Sequence, residues 1–173
     1  MKIAVTGHTS GIGLAIANRM ALDGHEIVGF SRSNGFDIGE PTAIVAAVQD
    51  CDVFVNNAHS GYHQVALLYR VFETWKMKKN RLILNVGSYG AENLSRPYEY
   101  GTQKAALEHA CRQLDDQANG CRVALLRLGY TATPRSKHHI VRKMPVEWVG
   151  EAVHWMLNQP KSVFVRDFTA IPR

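Results

Sequence analysis

The sequence contains no apolar run approaching the roughly 18 residues that a bilayer-spanning helix needs, so a membrane-embedded chain is not expected. Its opening, MKIAVTGHTS, has one Lys and an apolar stretch of only three residues before Thr-Gly, too short for the core of a signal peptide. Cysteine is scarce. Cys51, Cys111 and Cys121 are odd in number and no two share CxxC spacing. They read as buried free thiols in a reducing compartment, which makes the cytoplasm the expected location. The histidines include the pair His138-His139, but no Cys or carboxylate lies nearby at ligand spacing, so no metal is expected. Internal repeats, low-complexity segments and linkers are also missing.

What is present suits a folded chain. The 173 residues are 46% apolar and 20% charged, as in globular proteins. This length reads as one domain over residues 1–173. The formal charge is +5, and most of the Lys and Arg residues are scattered. One cluster stands out: Arg135, Lys137, His138, His139, Arg142 and Lys143. It lacks interleaved aromatics and any nucleic-acid motif, so nucleic acid is not an expected partner. A phosphate or carboxylate ligand suits so short a patch better, and a solvated basic loop is the plain alternative.

Short β-rich runs alternate with helical patterns. Strands are expected at Lys2–Thr6, Glu26–Ser31, Phe36–Ile38, Asp52–Asn56, Arg81–Val86, Arg122–Leu128 and Val163–Thr169. Helices are expected at Gly11–Leu22, at Thr42–Val48 after Pro41, at Tyr62–Met77, from Pro97 to Ala118, and at Val146–Asn158. This alternation predicts an α/β chain: a Rossmann-type, doubly wound parallel sheet of about seven strands with helices on both faces. Ligands of such sheets bind at the carboxyl ends of the strands, so the residues that follow each strand matter most.

After the first strand comes TGHTSGIG, in which Gly7, Gly11 and Gly13 lead into a helix. The spacing suits a tight turn at Gly7, a bare backbone for a pyrophosphate at Gly11, and close helix–strand packing at Gly13. The N–H groups that begin the helix favour the phosphates. Three glycines alone are weak evidence, but their place between the first strand and the first helix strengthens it.

The phrase resembles the TGxxxGIG signature of the short-chain dehydrogenase/reductase family. Asn56-Asn57-Ala58 is similar to the family's NNAG, Ser88 follows the fifth strand, and Tyr100-Gly101-Thr102-Gln103-Lys104 resembles its YxxxK. Four markers in the family's order cover most of the chain. The resemblance implies an NADP(H)-dependent oxidoreductase that moves hydride between a nicotinamide and a carbonyl or alcohol. Tyr100 would be its acid/base, Lys104 would also hold the nicotinamide ribose, and Ser88 would position the substrate. The chemistry is sensible for these residue types. A free tyrosine is a poor base at neutral pH. On a helix Tyr100 and Lys104 share a face, and an ammonium and a positive nicotinamide would both favour tyrosinate.

Among nucleotide contacts, the resemblance implies the loop residues Thr9, Ser10, Gly11 and Ile12, and Asp37-Ile38, Asn57, Ala58 and His59 around the adenine. Leu128-Gly129-Tyr130-Thr131-Ala132-Thr133 is similar to the family's PGxxxT beside the nicotinamide. There Thr133 would reach the carboxamide, assisted by backbone at Leu128, Gly129 and Thr131. The second strand ends Gly29-Phe30-Ser31-Arg32 without the acid that NAD-binding forms place there. Arg32 suits a 2′-phosphate and Ser31 can add a hydrogen bond, so NADP(H) is expected over NAD(H). The family also implies a homodimer or homotetramer paired through the long helix, and a small-molecule substrate.

Several features depart from the family. The chain is short, no helix fits between Ser31 and Phe36, and no Asn lies between Asn57 and Asn80 to serve as the family's catalytic asparagine. His59, His63 and Gln64 are the candidates to replace it. The segment after Thr133 is short and basic, which points to an anionic substrate at Arg135, Lys137 or Arg142. Two other readings stand beside the oxidoreductase: a non-catalytic NADP-binding sensor or scaffold, and a sugar-nucleotide epimerase or dehydratase, which shares the tyrosine and lysine.

Overall fold

Six runs of β-branched and apolar residues form a single parallel sheet in the computed structural model, which describes residues 1–92 and 98–173. The strands are β1 (Lys2–Thr6), β2 (Glu26–Phe30), β3 (Val53–Asn56), β4 (Leu82–Ser88), β5 (Arg122–Leu128) and β6 (Asp167–Ala170). They lie in the order β2-β1-β3-β4-β5-β6. The chain therefore leaves β1 toward one edge and returns to its other side at β3, and this reversal opens a crevice at the strand ends.

Each strand divides its side chains between two cores, because successive residues point to opposite faces. Ala4, Phe54, Ile83 and Leu125 join one apolar cluster. Ile3, Val5, Val53, Val55, Leu84 and Leu126 join the other. Helices α2 (Thr42–Ala47), α3 (His63–Trp75) and α4 (Tyr98–Gln117) cover the first face. On α3, Leu67, Leu68, Val71, Phe72 and Trp75 recur at helical spacing as one buried stripe. The second face is covered by α1 (Gly11–Leu22) and α5 (Val146–Leu157). These two helices approach closely because Gly150 has no side chain: a Cβ there would lie 2.8 Å from Ala15 O.

The expected parallel, doubly wound architecture is what the sheet shows, with one strand fewer on its β2 edge. Phe36–Ile38 is not a strand. Asn34 donates from Nδ2 to Gly29 O at 2.8 Å, folding residues 31–35 back on β2. Phe36 packs edge-on against Phe30 at 4.9 Å, and Ile38 is buried in the first core, so the segment serves as a cover rather than a strand. The last strand also begins later than expected, at Asp167. Pro97, expected to open the long helix, lies outside the described residues. Among the described residues, no helix is long and apolar enough to cross a membrane, and no three His, Cys, Asp or Glu side chains gather as a metal site. All three cysteines are buried and unpaired, and burial raises the thiol pKa of Cys51 and Cys121, the latter to about 11.

Candidate active site

The carboxyl ends of β1 to β5 open onto a cavity of about 1000 Å³. Its floor is the loop between β1 and α1. Gly7 and Gly11 adopt left-handed backbone, with φ of 70° and 54°, which a side chain would strain. A Cβ at Gly11 would come within 3.3 Å of the Thr133 side chain across the crevice. Gly13 does not line the cavity and works beneath it. Its Cβ would lie 2.2 Å from Gly7 O, so only glycine lets α1 dock on the loop. Ser10 caps α1 without a side-chain hydrogen bond, and the first turn holds no acid. The leading N–H groups of α1 are thus uncapped by side chains and carry the positive end of the helix dipole into the cavity. A pyrophosphate fits such a cradle.

The remaining sequence candidates gather around this floor. Thr9, Ser10, Ile12, Ser31, Arg32, Asp37, Ile38, Asn57, Ala58, His59, Leu128, Gly129, Thr131 and Thr133 all line the cavity, as do Ser88, Tyr100 and Lys104. Asn57 is fixed there by Thr6: its backbone N–H donates to Thr6 Oγ1 and its Nδ2 to Thr6 O, each at 2.9 Å. At the β2 end, Ser31 N–H donates to Asn34 Oδ1 at 2.8 Å and Asp37 Oδ1 accepts from Gly39 N–H at 2.8 Å. Arg32 forms no ion pair among the described residues.

Ser88 ends β4, and its Oγ accepts from Gly90 N–H at 3.1 Å. A Cβ built on Gly90 would lie 3.2 Å from Ser88 Oγ and 3.5 Å from Tyr100 Cε1. The serine and the tyrosine therefore converge on one spot, kept open by a glycine. The Lys104 ammonium lies 5.8 Å from the centre of the Tyr100 ring, and the His59 ring meets that ring edge-on at 5.1 Å.

Lys104 is 3% exposed, on the inner face of α4. It donates to Gln64 Oε1 at 2.7 Å and to Val86 O at 3.1 Å. Gln64, itself buried, is clamped because its Nε2 donates to Asn56 O at 2.7 Å and to Val86 O at 3.2 Å. Asn56 in turn donates to Gln64 O and to Asn85 Oδ1, each at 2.9 Å. Of the three candidates to replace the missing asparagine, Gln64 is the one that touches the lysine. His63 does not line the cavity; it packs beside Gly39.

Burial sets the electrostatics. It lowers the Lys104 pKa to about 7, with the Arg135 charge second. It also lowers His59 to about 4, helped by Lys104 and Arg135, so His59 is neutral at physiological pH.

Among the wall residues that sequence reasoning did not assign are Pro134, Ser136, Tyr130 and the tail residues Ile171 and Pro172. Gly129 admits that tail: a Cβ there would lie 2.7 Å from Pro172 Cδ. Nothing in the local pattern of the tail marks it as a wall.

No curated protein matches this chain in sequence. Solved structures do match in fold. The 3-alpha-hydroxysteroid dehydrogenase from Pseudomonas sp., complexed with NADH, has a TM-score of 0.80 at 22% identity, covering 99% of this chain and 94% of that one. A short chain dehydrogenase from Burkholderia cenocepacia, in complex with NADP, has a TM-score of 0.80 at 19% identity, covering 99% and 95%. A blue fluorescent protein from a metagenomic library, in complex with NADPH, has a TM-score of 0.81 at 21% identity, covering 99% and 96%. These likenesses establish the fold of the short-chain dehydrogenases/reductases. Residues 3–169 match the NAD dependent epimerase/dehydratase family, and the chain belongs to that family.

Proposed function

We propose that this chain is an NADP-dependent oxidoreductase that interconverts a carbonyl and an alcohol, with Tyr100 as the acid/base. The observation that carries this reading is the convergence of Ser88 and Tyr100 on Gly90, beside the buried Lys104 and inside the cavity floored by the glycine loop. The cradle at α1 would hold the pyrophosphate, and Arg32 with Ser31 the 2′-phosphate. The bound nicotinamide supplies or accepts the hydride.

In the reducing direction, Tyr100 Oη gives its proton to the substrate oxygen as that oxygen gains charge. Ser88 Oγ already accepts from Gly90 N–H, so its own hydrogen is left for the same oxygen. A protonated Lys104 has three donors. Gln64 and Val86 take two of them, which leaves one to face the cavity. With its pKa near 7, the lysine exchanges a proton at working pH and can return one to the tyrosine.

Consumption of NADPH against a panel of aldehydes and ketones tests the reaction. Arg32→Ala should weaken NADPH at least about tenfold and NADH far less, since a guanidinium–phosphate pair is charge-assisted. Equal loss for both would remove the case for NADP. Gln64→Leu deprives Lys104 of its closest acceptor. A hydrogen bond from a charged donor is worth about 1.5–3 kcal/mol, so kcat should fall roughly tenfold to a hundredfold. Unchanged kcat would show that Gln64 is only core.

A second reading follows from the family match. An epimerase or dehydratase would use the same Tyr100 and Lys104 and restore its nucleotide in each cycle. Substrate turnover without net NADPH consumption would favour it.

A further inference from the structure

Charge is unevenly distributed along the cavity. Arg32 and Asp37 lie at the β2 end. The opposite end holds Lys104 and Arg135, and among the described lining residues no carboxylate stands with them. Five other arginines, at positions 19, 81, 122, 127 and 166, are neutralised by ion pairs. Arg135 has no ion pair or hydrogen bond among the described residues, yet its charge reaches both Lys104 and His59.

The backbone beneath Arg135 is held firmly. It lies in the turn Pro134–Ser136. Ser136 Oγ donates to Thr131 O at 2.6 Å, and Thr133 N–H donates to Ser136 Oγ at 3.1 Å. The turn is therefore anchored through Ser136 while its one cation is left unspent, within electrostatic reach of the buried Lys104. An exposed guanidinium on the wall of the cavity with no carboxylate to balance it favours an anion, because its planar fork binds carboxylate or phosphate oxygens in pairs. Of the basic cluster, Arg135 and His139 line the cavity, whereas Lys137, His138, Arg142 and Lys143 do not, so Arg135 is the one arginine or lysine of the cluster that faces it.

We propose that Arg135 binds an anionic group, carboxylate or phosphate, carried by the substrate itself, so that the substrate is an anionic carbonyl or hydroxyl compound. This rests on the reading that the reacting oxygen meets Ser88 and Tyr100.

Calorimetric titration of the full chain tests it, with and without NADP⁺, using pyruvate, inorganic phosphate and acetone as probes. One anion should bind at least about tenfold tighter than acetone, and Arg135→Gln should weaken that anion at least about tenfold while Arg135→Lys restores part of it. Binding of pyruvate alone identifies a carboxylate, and binding of phosphate alone a phosphate. Anions no better than acetone, or equal affinities in the wild type and Arg135→Gln, would overturn the proposal. So would a loss of NADP⁺ affinity in Arg135→Gln as large as the loss for the anion, since the arginine would then serve the nucleotide's own phosphates. If NADP⁺ fails to bind the wild-type chain, the proposed oxidoreductase is wrong. The ligand-free titration still decides the anion site.

Discussion

Tyr100→Phe should cut kcat by about 10²–10⁴-fold, the range lost when a positioned acid/base is removed. The substitution is nearly a pure deletion of Oη. Phenylalanine keeps the ring that meets His59 edge-on at 5.1 Å and lies 5.8 Å from the Lys104 ammonium. The nucleotide cradle at Gly7, Gly11 and the start of α1 is built from other residues, so NADPH affinity should change by less than about threefold. Fluorescence titration and initial rates separate the two effects. Turnover at wild-type rate in this variant would remove Tyr100 from the chemistry.

Lys104→Met should change how stability depends on pH. In the folded chain burial lowers the lysine pKa to about 7, whereas its ordinary value is 10.5. Below pH 7 both the folded and unfolded chains hold the proton, and folding carries the full cost of burying an ammonium. Between pH 7 and 10.5 the unfolded chain still holds it while the folded chain has released it. Wild-type stability should therefore climb with pH by about 1.4 kcal/mol per pH unit relative to Lys104→Met across that window. Urea unfolding at pH 7, 8, 9 and 10 reads the difference directly. The acceptors that methionine strands, Gln64 Oε1 and Val86 O, do not titrate and so add only a constant offset. Parallel profiles would mean that the lysine titrates near its ordinary value.

The parts of the molecule legible in the sequence were those governed by short-range rules. Runs such as Ile3-Ala4-Val5 and Val53-Phe54-Val55 announce strands covered on both faces, because each residue is apolar whichever side it points to. The glycine loop is equally plain, since Gly13 answers a clash with Gly7 O only six residues away. Phe36–Ile38 misled because two apolar residues flanking Asp37 read the same as an alternating strand or as a buried cover, and the side-chain bond from Asn34 to Gly29 O decided between them. Gln64 carries no motif. It reaches Lys104 only because α3 and α4 pack side by side, which brings together residues forty positions apart. Arg135 was one member of a basic cluster in sequence, and the anchored turn at Ser136 is what sets it apart from Lys137 and Arg142.

Helix α4 is fastened to the sheet at two successive turns. Lys104 grips Val86 O on β4. One turn on, Glu108, 4% exposed, holds Arg127 of β5 through two bonds of 2.8 and 2.9 Å. Shifting α4 would break a buried bidentate pair, a costly event that leaves charges stranded. The wall that bears Tyr100 and Lys104 is therefore stiff. Residues 137–142, of which His139 lines the cavity, are all exposed, and Ile140 is fully so. Movement there breaks few buried contacts, so widening of the cavity beside His139 costs least in that stretch.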